Sequence, residues 1–195
     1  MKIAHRGASG YEPENTLAAF SRAIALGVDM IELDVHLCRS GELVVIHDDK
    51  LERTTNGSGS VSRYTLQELK KLDAGKGESI PLLREAMELI DKRCAINIEL
   101  KGKGTALPAV EMAVRATKGK GWSKNDFLLS SFSREELMAA RKADAEIRLG
   151  LNISDSGEGF SSFASDMNLF SIHPAAEMAS RELVEAIHDL GMKAV

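Results

Sequence analysis

The chain has 195 residues, 44% of them apolar and 28% charged, with a net charge of -4. Those are the proportions of an ordinary globular protein, and the small charge speaks against nucleic-acid binding and against a polybasic membrane surface. No apolar run approaches the ~20 residues of a membrane span, and His5-Arg6-Gly7 follows Ile3-Ala4 at once, so stable membrane insertion and a signal peptide are not expected and the cytoplasm is.

Residues 2–5 read as a short strand entering the small-residue loop Arg6-Gly7-Ala8-Ser9-Gly10. Pro13 and Glu14 suit a helix start, and Leu17, Ala18, Phe20, Ala23, Ile24 and Leu26 recur at helical spacing until Gly27. Residues 28–35 form a second strand and 43–46 a third, with only seven residues, His36 to Glu42, between them. A helical crossover needs a dozen or more, so this return is an extended loop or a hairpin. Thr65-Leu66-Gln67-Glu68 has the form of a capping box. Pro81 starts a helix carrying Leu82, Leu83, Ala86, Met87, Leu89 and Ile90.

Residues 95–101 alternate as a fourth strand, followed by a helix around 107–117 and a fifth strand at 127–132. Ser133 caps a helix over 134–143 with Glu135 and Glu136 in its first turn. Residues 147–153 form the sixth strand, a Gly/Ser/Phe loop follows, and 169–172 with His173-Pro174 form the seventh. Ser180 opens a helix to Leu190, Gly191 ends it, and residues 193–195 begin an eighth strand. Alternation of this kind means α/β with a parallel sheet, and eight strands favour a (β/α)8 TIM barrel over an open sheet. With no internal repeat or linker, residues 1–195 read as a single domain. Cys38 and Cys94 lack metal-type spacing and read as reduced thiols.

Chemistry concentrates at the C-terminal ends of the strands, where barrel active sites are built. In Ile31-Glu32-Leu33-Asp34-Val35, period-two alternation puts two carboxylates on one strand face, about 7 Å apart. With Glu99 on a neighbouring strand end they make an oxygen-rich cage suited to Mg²⁺ or Ca²⁺ rather than zinc. Arg6 and Lys101 offer fixed positive charge for an anionic group, and His5 and His47 titrate near neutrality as a potential acid–base pair. Cation, cationic clamp and two histidines are the parts of phosphoester cleavage. Singly, each residue has a plainer explanation: Glu99 and Lys101 as a surface ion pair worth ~0–1 kcal/mol, or Arg53-Thr54-Thr55 as an ordinary loop.

Taken in order, His5-Arg6-Gly7, Pro13-Glu14-Asn15-Thr16, Glu32-Leu33-Asp34-Val35, His47-Asp48 with Leu51 and Arg53-Thr54-Thr55, and Ile98-Glu99-Leu100-Lys101 resemble the glycerophosphodiester phosphodiesterase family. The resemblance implies a TIM barrel that hydrolyses glycerophosphodiesters, its small-molecule substrates, to sn-glycerol 3-phosphate and an alcohol with a divalent cation. By that likeness Glu32, Asp34 and Glu99 match the metal ligands, His5 and His47 the general acid–base pair, and Arg6 and Lys101 the phosphate-holding positions; Ser131-Phe132 matches a further signature. Residues 49–81 correspond to a small lid-like insertion after the third strand. Family chains run on past the eighth strand, so a barrel C-terminally shortened within strand eight is expected here. The rivals are a related phospholipase D-like lyase that forms a cyclic phosphate and a truncated, non-catalytic barrel that binds phosphodiesters. Homo-oligomerisation stays open, as do the cation, the alcohol headgroup and the choice of water or vicinal hydroxyl as attacker.

Overall fold

The computed structural model describes residues 1–119, 121–154 and 160–195. Its strands are β1 (Ile3–His5), β2 (Met30–Leu37), β3 (Leu43–Val45), β4 (Ala95–Leu100), β5 (Phe127–Ser131), β6 (Arg148–Ile153), β7 (Ser171–Pro174) and β8 (Lys193–Ala194). The helices are α1 (Leu17–Ala25), α2 (Leu66–Leu69), α3 (Leu83–Ile90), α4 (Ala106–Gly119), α5 (Arg134–Ala143), α6 (Phe160–Asp166) and α7 (Arg181–Asp189). Seven strands pair in parallel in the order β1-β2-β4-β5-β6-β7-β8. Among the described residues β1 and β8 do not pair with each other. The sheet is therefore a curled, open half-barrel rather than a closed one.

The third strand corrects the strand count. β3 runs antiparallel to β2, with Val35↔Val45 and Leu37↔Leu43, so the seven-residue return is a hairpin. β4 occupies one edge of β2 along Met30–Val35, so β1 and β3 share the other, β1 at residues 30–32 and β3 at 35–37. The last strand is thus the seventh of the parallel path and not the eighth. A seven-residue stretch is too short for a helical crossover, and a hairpin is the return it permits.

Alternation along each strand sorts the chemistry. Ile31, Leu33, Val35, Ile96, Ile98, Leu100, Phe127, Leu129, Leu149, Leu151 and Ile172 belong to the core shared with the surrounding helices. The opposite, inner face carries Glu32, Asp34, Asn97, Glu99, Ser130, Asn152 and Ser171, all buried. Truncating a residue such as Leu33, fully buried, removes about 2–5 kcal/mol. The helices start where side chains cap them: Thr16, Thr65, Ser133 and Ser180 each accept an N–H of the first turn. Thr65 and Glu68 complete the expected capping box. Helix α1 begins at Leu17 rather than at Pro13, because Glu14 and Asn15 are drawn into the site instead.

The insertion at residues 49–81 has its own small core of Leu51, Val61, Leu69, Ala74 and Ile80, packed on Cys38, Val44 and Ile46 of the hairpin. Helix α6 falls where a loop is expected; Phe160 and Phe163 alone give little helical periodicity in seven residues. The remainder of that expected loop, 155–159, lies outside the described residues. Cys38 and Cys94 are free thiols. Among the described residues no helix is long and apolar enough to cross a membrane.

Candidate active site

Strand register assembles the site. β2 delivers Glu32 and Asp34, and the Asp34↔Glu99 pairing sets Glu99 beside them on β4. Carboxylate oxygens of Glu32, Asp34 and Glu99 lie within 4.8 Å of one another, all three residues buried. Among the described residues Glu32 Oε1 and Asp34 Oδ1 are buried without a hydrogen-bond partner, and the buried Glu99 Oε1 has only the Lys101 ammonium, 3.1 Å away. Burial, then the neighbouring Asp34 charge, raises the Glu32 pKa well above the usual carboxylate range. Burial likewise raises that of Glu99, against the opposing pull of Lys101. Three crowded carboxylates with orphaned oxygens are the donor set of a hard divalent cation, so the residues fit that group.

The other edge of β2 brings in β1 and its following loop. Arg6 sits at φ 57°, a left-handed conformation that is strained for a residue with a side chain. Its N–H donates to Glu32 Oε2 at 2.8 Å, its Nη1 to Glu14 Oε1 at 2.9 Å, and its Nε stands 3.5 Å from Asp34 Oδ2. Gly7 follows at φ 77°, where a Cβ would lie 2.8 Å from the Ala19 Cβ, so only glycine lets the loop lie on α1. Asn15 donates its Nδ2 to Asp34 Oδ2 at 2.8 Å, fixing that carboxylate. His5 stands at the exposed rim with Nε2 3.9 Å from Glu32 Oε2. Partial loss of hydration, then the Arg6 charge, lowers its pKa.

Past β3, His47 is polarised from both ends. The Arg53 guanidinium first, then the His47 hydrogen bond, hold the Asp48 carboxyl far below its ordinary range. That ionised group can only accept, so His47 Nδ1–H donates to Asp48 Oδ1 at 2.5 Å. The bare Nε2 then accepts from Lys101 Nζ at 3.1 Å. His36 Nε2–H donates to the His47 carbonyl at 3.0 Å.

Lys101 also lies 3.1 Å from Glu99 Oε1, with only 11% of the Glu99 side chain exposed, so this is no surface pair. Arg53 is likewise no idle loop residue. It donates to Glu14 through Nη1 and Nη2 at 2.8 Å each, and to Asp48 through Nε at 2.7 Å and Nη2 at 2.9 Å.

All seven expected site residues thus converge at one end of the sheet. Glu14, Asn15 and Arg53 join them through hydrogen bonds, although the sequence reading gives them no role. Their signal was position alone: each falls inside a motif that borders a catalytic candidate. Ser131, of the further signature, points outward, its Oγ donating to the Leu100 carbonyl at 2.7 Å, whereas Phe132 is half exposed with Lys101 Nζ 5.5 Å from its ring.

A parallel α/β sheet thus gathers at its strand ends a carboxylate triad, the cations Arg6 and Lys101 and a carboxylate-backed histidine, the kinds of group that phosphoester chemistry uses. The family model for the glycerophosphoryl diester phosphodiesterase family matches residues 5–195. A glycerophosphodiester phosphodiesterase of Caldanaerobacter subterraneus subsp. tengcongensis is 42% identical over 202 residues, covering 99% of this chain and 83% of that protein. An Oleispira antarctica phosphodiesterase, solved with the product sn-glycerol-3-phosphate, superposes with a TM-score of 0.89 at 35% identity, over 98% of this chain and 81% of that one. A glycerophosphodiester phosphodiesterase from Agrobacterium tumefaciens gives 0.81 at 32% identity, over 98% and 84%. The chain belongs to the glycerophosphoryl diester phosphodiesterase family.

Proposed function

We propose that this protein hydrolyses glycerophosphodiesters to sn-glycerol 3-phosphate and an alcohol, with residues 1–195 acting as one catalytic domain. The observation that carries the reading is the buried Glu32–Asp34–Glu99 triad flanked by Arg6 and Lys101 and faced by His47 on Asp48. Glu32, Asp34 and Glu99 would hold a divalent cation, Mg²⁺ or Ca²⁺, which when bound polarises a phosphoryl oxygen. Arg6 and Lys101 stand on opposite sides of the triad and would clamp the phosphate anion.

With Nδ1 tied to Asp48, His47 presents Nε2 for proton transfer, and Lys101 frees that nitrogen when its ammonium turns to the phosphate. His5, its pKa lowered, stays neutral at pH 7 and can exchange a proton at the other side. In the net reaction the attacking oxygen gives its proton to one histidine as its bond to phosphorus forms. The other histidine protonates the alcohol oxygen as its bond to phosphorus breaks. A lysophospholipid lyase would need an apolar path over the site. The insertion instead turns its apolar residues into its own core.

Release of glycerol 3-phosphate from glycerophosphocholine and glycerophosphoethanolamine, with Mg²⁺ or Ca²⁺ and with EDTA, tests the proposal. Chelator-sensitive turnover is expected, falling by about 10²–10⁴-fold in His47→Ala and in His5→Ala. A folded protein with no turnover on either diester, or histidine variants of full activity, would overturn it.

A further inference from the structure

After Glu32 and Asp34, His36 is the next residue on the inner face of β2. It is buried, and among the described residues its imidazole makes one hydrogen bond, from Nε2–H to the His47 carbonyl at 3.0 Å. A buried histidine with a satisfied N–H is ordinarily a core residue and no more. The partner sets this one apart, because the carbonyl it holds belongs to the proposed acid–base residue.

β3 ends at Val45, so no strand ladder holds His47. The last backbone tie before it is Ile46 N–H to the Asp34 carbonyl at 3.0 Å. Among the described residues no backbone N–H donates to the His47 carbonyl, and the His36 side chain takes that place. This carbonyl lies in the His47–Asp48 peptide plane, whose orientation decides where Asp48 leaves the chain. Side chains of adjacent residues ordinarily diverge, yet His47 Nδ1 and Asp48 Oδ1 meet at 2.5 Å. That contact needs the plane held. The other side of the ring faces the turn after β4. Lys101 and Gly102 N–H both donate to the Val35 carbonyl at 3.3 Å, and a Cβ at Gly102 would lie 3.0 Å from His36 Nδ1. His36 thus stands between the two backbone segments whose side chains pair as Lys101 Nζ and His47 Nε2 at 3.1 Å.

We infer that His36 is a positioning residue: it holds the His47–Asp48 peptide so that Asp48 grips His47 Nδ1 and Nε2 faces Lys101. Its consequence for turnover rests on the diesterase reading, in which His47 transfers the proton. Misplacing a reacting group by about 1 Å lowers a rate by about 10²-fold, so a fixed peptide plane matters more here than elsewhere on the surface. In this role the His36 ring exchanges no proton. Only an N–H at the right reach counts, and a neutral amide of the same reach serves equally well.

The test sets His36→Gln against His36→Asn. Both are neutral amides, but the glutamine nitrogen stands where histidine Nε2 stands, whereas asparagine ends at the depth of Nδ1. On glycerophosphocholine with Mg²⁺, His36→Asn should lower kcat about tenfold or more with KM within about twofold of wild type. His36→Gln should recover most of kcat. The rise in melting temperature on adding Mg²⁺ should match wild type in both, since the carboxylate triad is untouched. Proton NMR of the metal-free protein gives a readout independent of turnover. The His47 Nδ1–H bonded to Asp48 should give a downfield resonance, assigned by its absence in His47→Ala, that persists in His36→Gln and is lost in His36→Asn. Equal kcat in the two variants, or the resonance retained in His36→Asn, would overturn the inference. A wild type that turns over no diester removes the diesterase reading, and the resonance still decides whether His36 sets the His47–Asp48 bond.

Discussion

Glu32→Gln should make the cation-free protein more stable while abolishing its response to cations. The three carboxylates lie within 4.8 Å of one another. At an effective dielectric of about 20, one pair of full charges at that separation repels by roughly 3 kcal/mol. The raised Glu32 pKa makes its charged form cheaper to give up, and its attraction to Arg6 is lost with the charge. A net gain of about 1–3 kcal/mol remains, or roughly 3–10 °C for a chain of this size.

The glutamine oxygen can still accept from the Arg6 N–H, so the loop is retained. Wild type should instead gain about 4.1 kcal/mol from a cation at about a thousand times its dissociation constant, and the variant much less. The order of the two melting temperatures therefore inverts between EDTA and Mg²⁺.

The pH dependence has a definite sign. Because the folded-state pKa of Glu32 is raised, the folded chain holds the proton more tightly than the unfolded one. Metal-free wild type thus gains stability as pH falls through the raised Glu32 pKa toward the unfolded carboxylate range, and Glu32→Gln has a flatter profile there. Glu14 and Asp48 have lowered pKa values, so their contribution is present above the unfolded carboxylate range and lost below about pH 4, outside that window. Scanning calorimetry across pH with EDTA or Mg²⁺ decides the matter. A variant less stable than wild type in EDTA, or one still fully stabilised by Mg²⁺, refutes the reasoning.

Arg53→Met should lower kcat about tenfold through His47 and Asp48 yet change stability by no more than about 1 kcal/mol, since the side chain is 46% exposed. Arg53→Lys should recover little, because one ammonium cannot serve both carboxylates as the fork does. Steady-state kinetics with paired thermal melts check both, and an unchanged kcat would remove Arg53 from the site. The buried Glu136 accepts from the Gly104 and Ala106 amides at 2.6 and 2.8 Å, in the loop that follows Lys101. Glu136→Ala should therefore cost about 2–3 kcal/mol and raise KM, with Glu136→Gln intermediate; a melting temperature within experimental error of wild type would contradict it.

Much of this was legible in the sequence because period-two alternation is a direct readout of strand faces. Glu32, Asp34 and Glu99 could be placed on one face before any fold was known, and register did the rest. Strand polarity was not legible. Leu43-Val44-Val45 reads the same whether it pairs parallel or antiparallel, and only the short His36–Glu42 return hinted at the hairpin.

Nor was the polar inner face of β5–β7. Ser130, Gly150 and Asn152 look like interruptions of apolar runs until neighbouring strands align them. The Arg53 network was hidden for a different reason. Its partners Glu14 and Asp48 lie 39 and 5 residues away, and no local periodicity links such positions.

The hairpin also bears on how this scaffold can diverge. The insertion leaves the barrel at β3 and returns at Pro81-Leu82, where Val45 N–H donates to the Pro81 carbonyl at 2.8 Å and Val44 bridges to Leu82. Its two stems are thus stitched together at the base, and its apolar residues pack among themselves. Lengthening the segment between Arg53 and Pro81 adds mainly loop-closure entropy, about 0.6 kcal/mol per doubling. It leaves the carboxylate triad untouched. The part of the insertion beyond Arg53 can therefore vary as a module while Arg53 keeps its hold on Glu14 and Asp48.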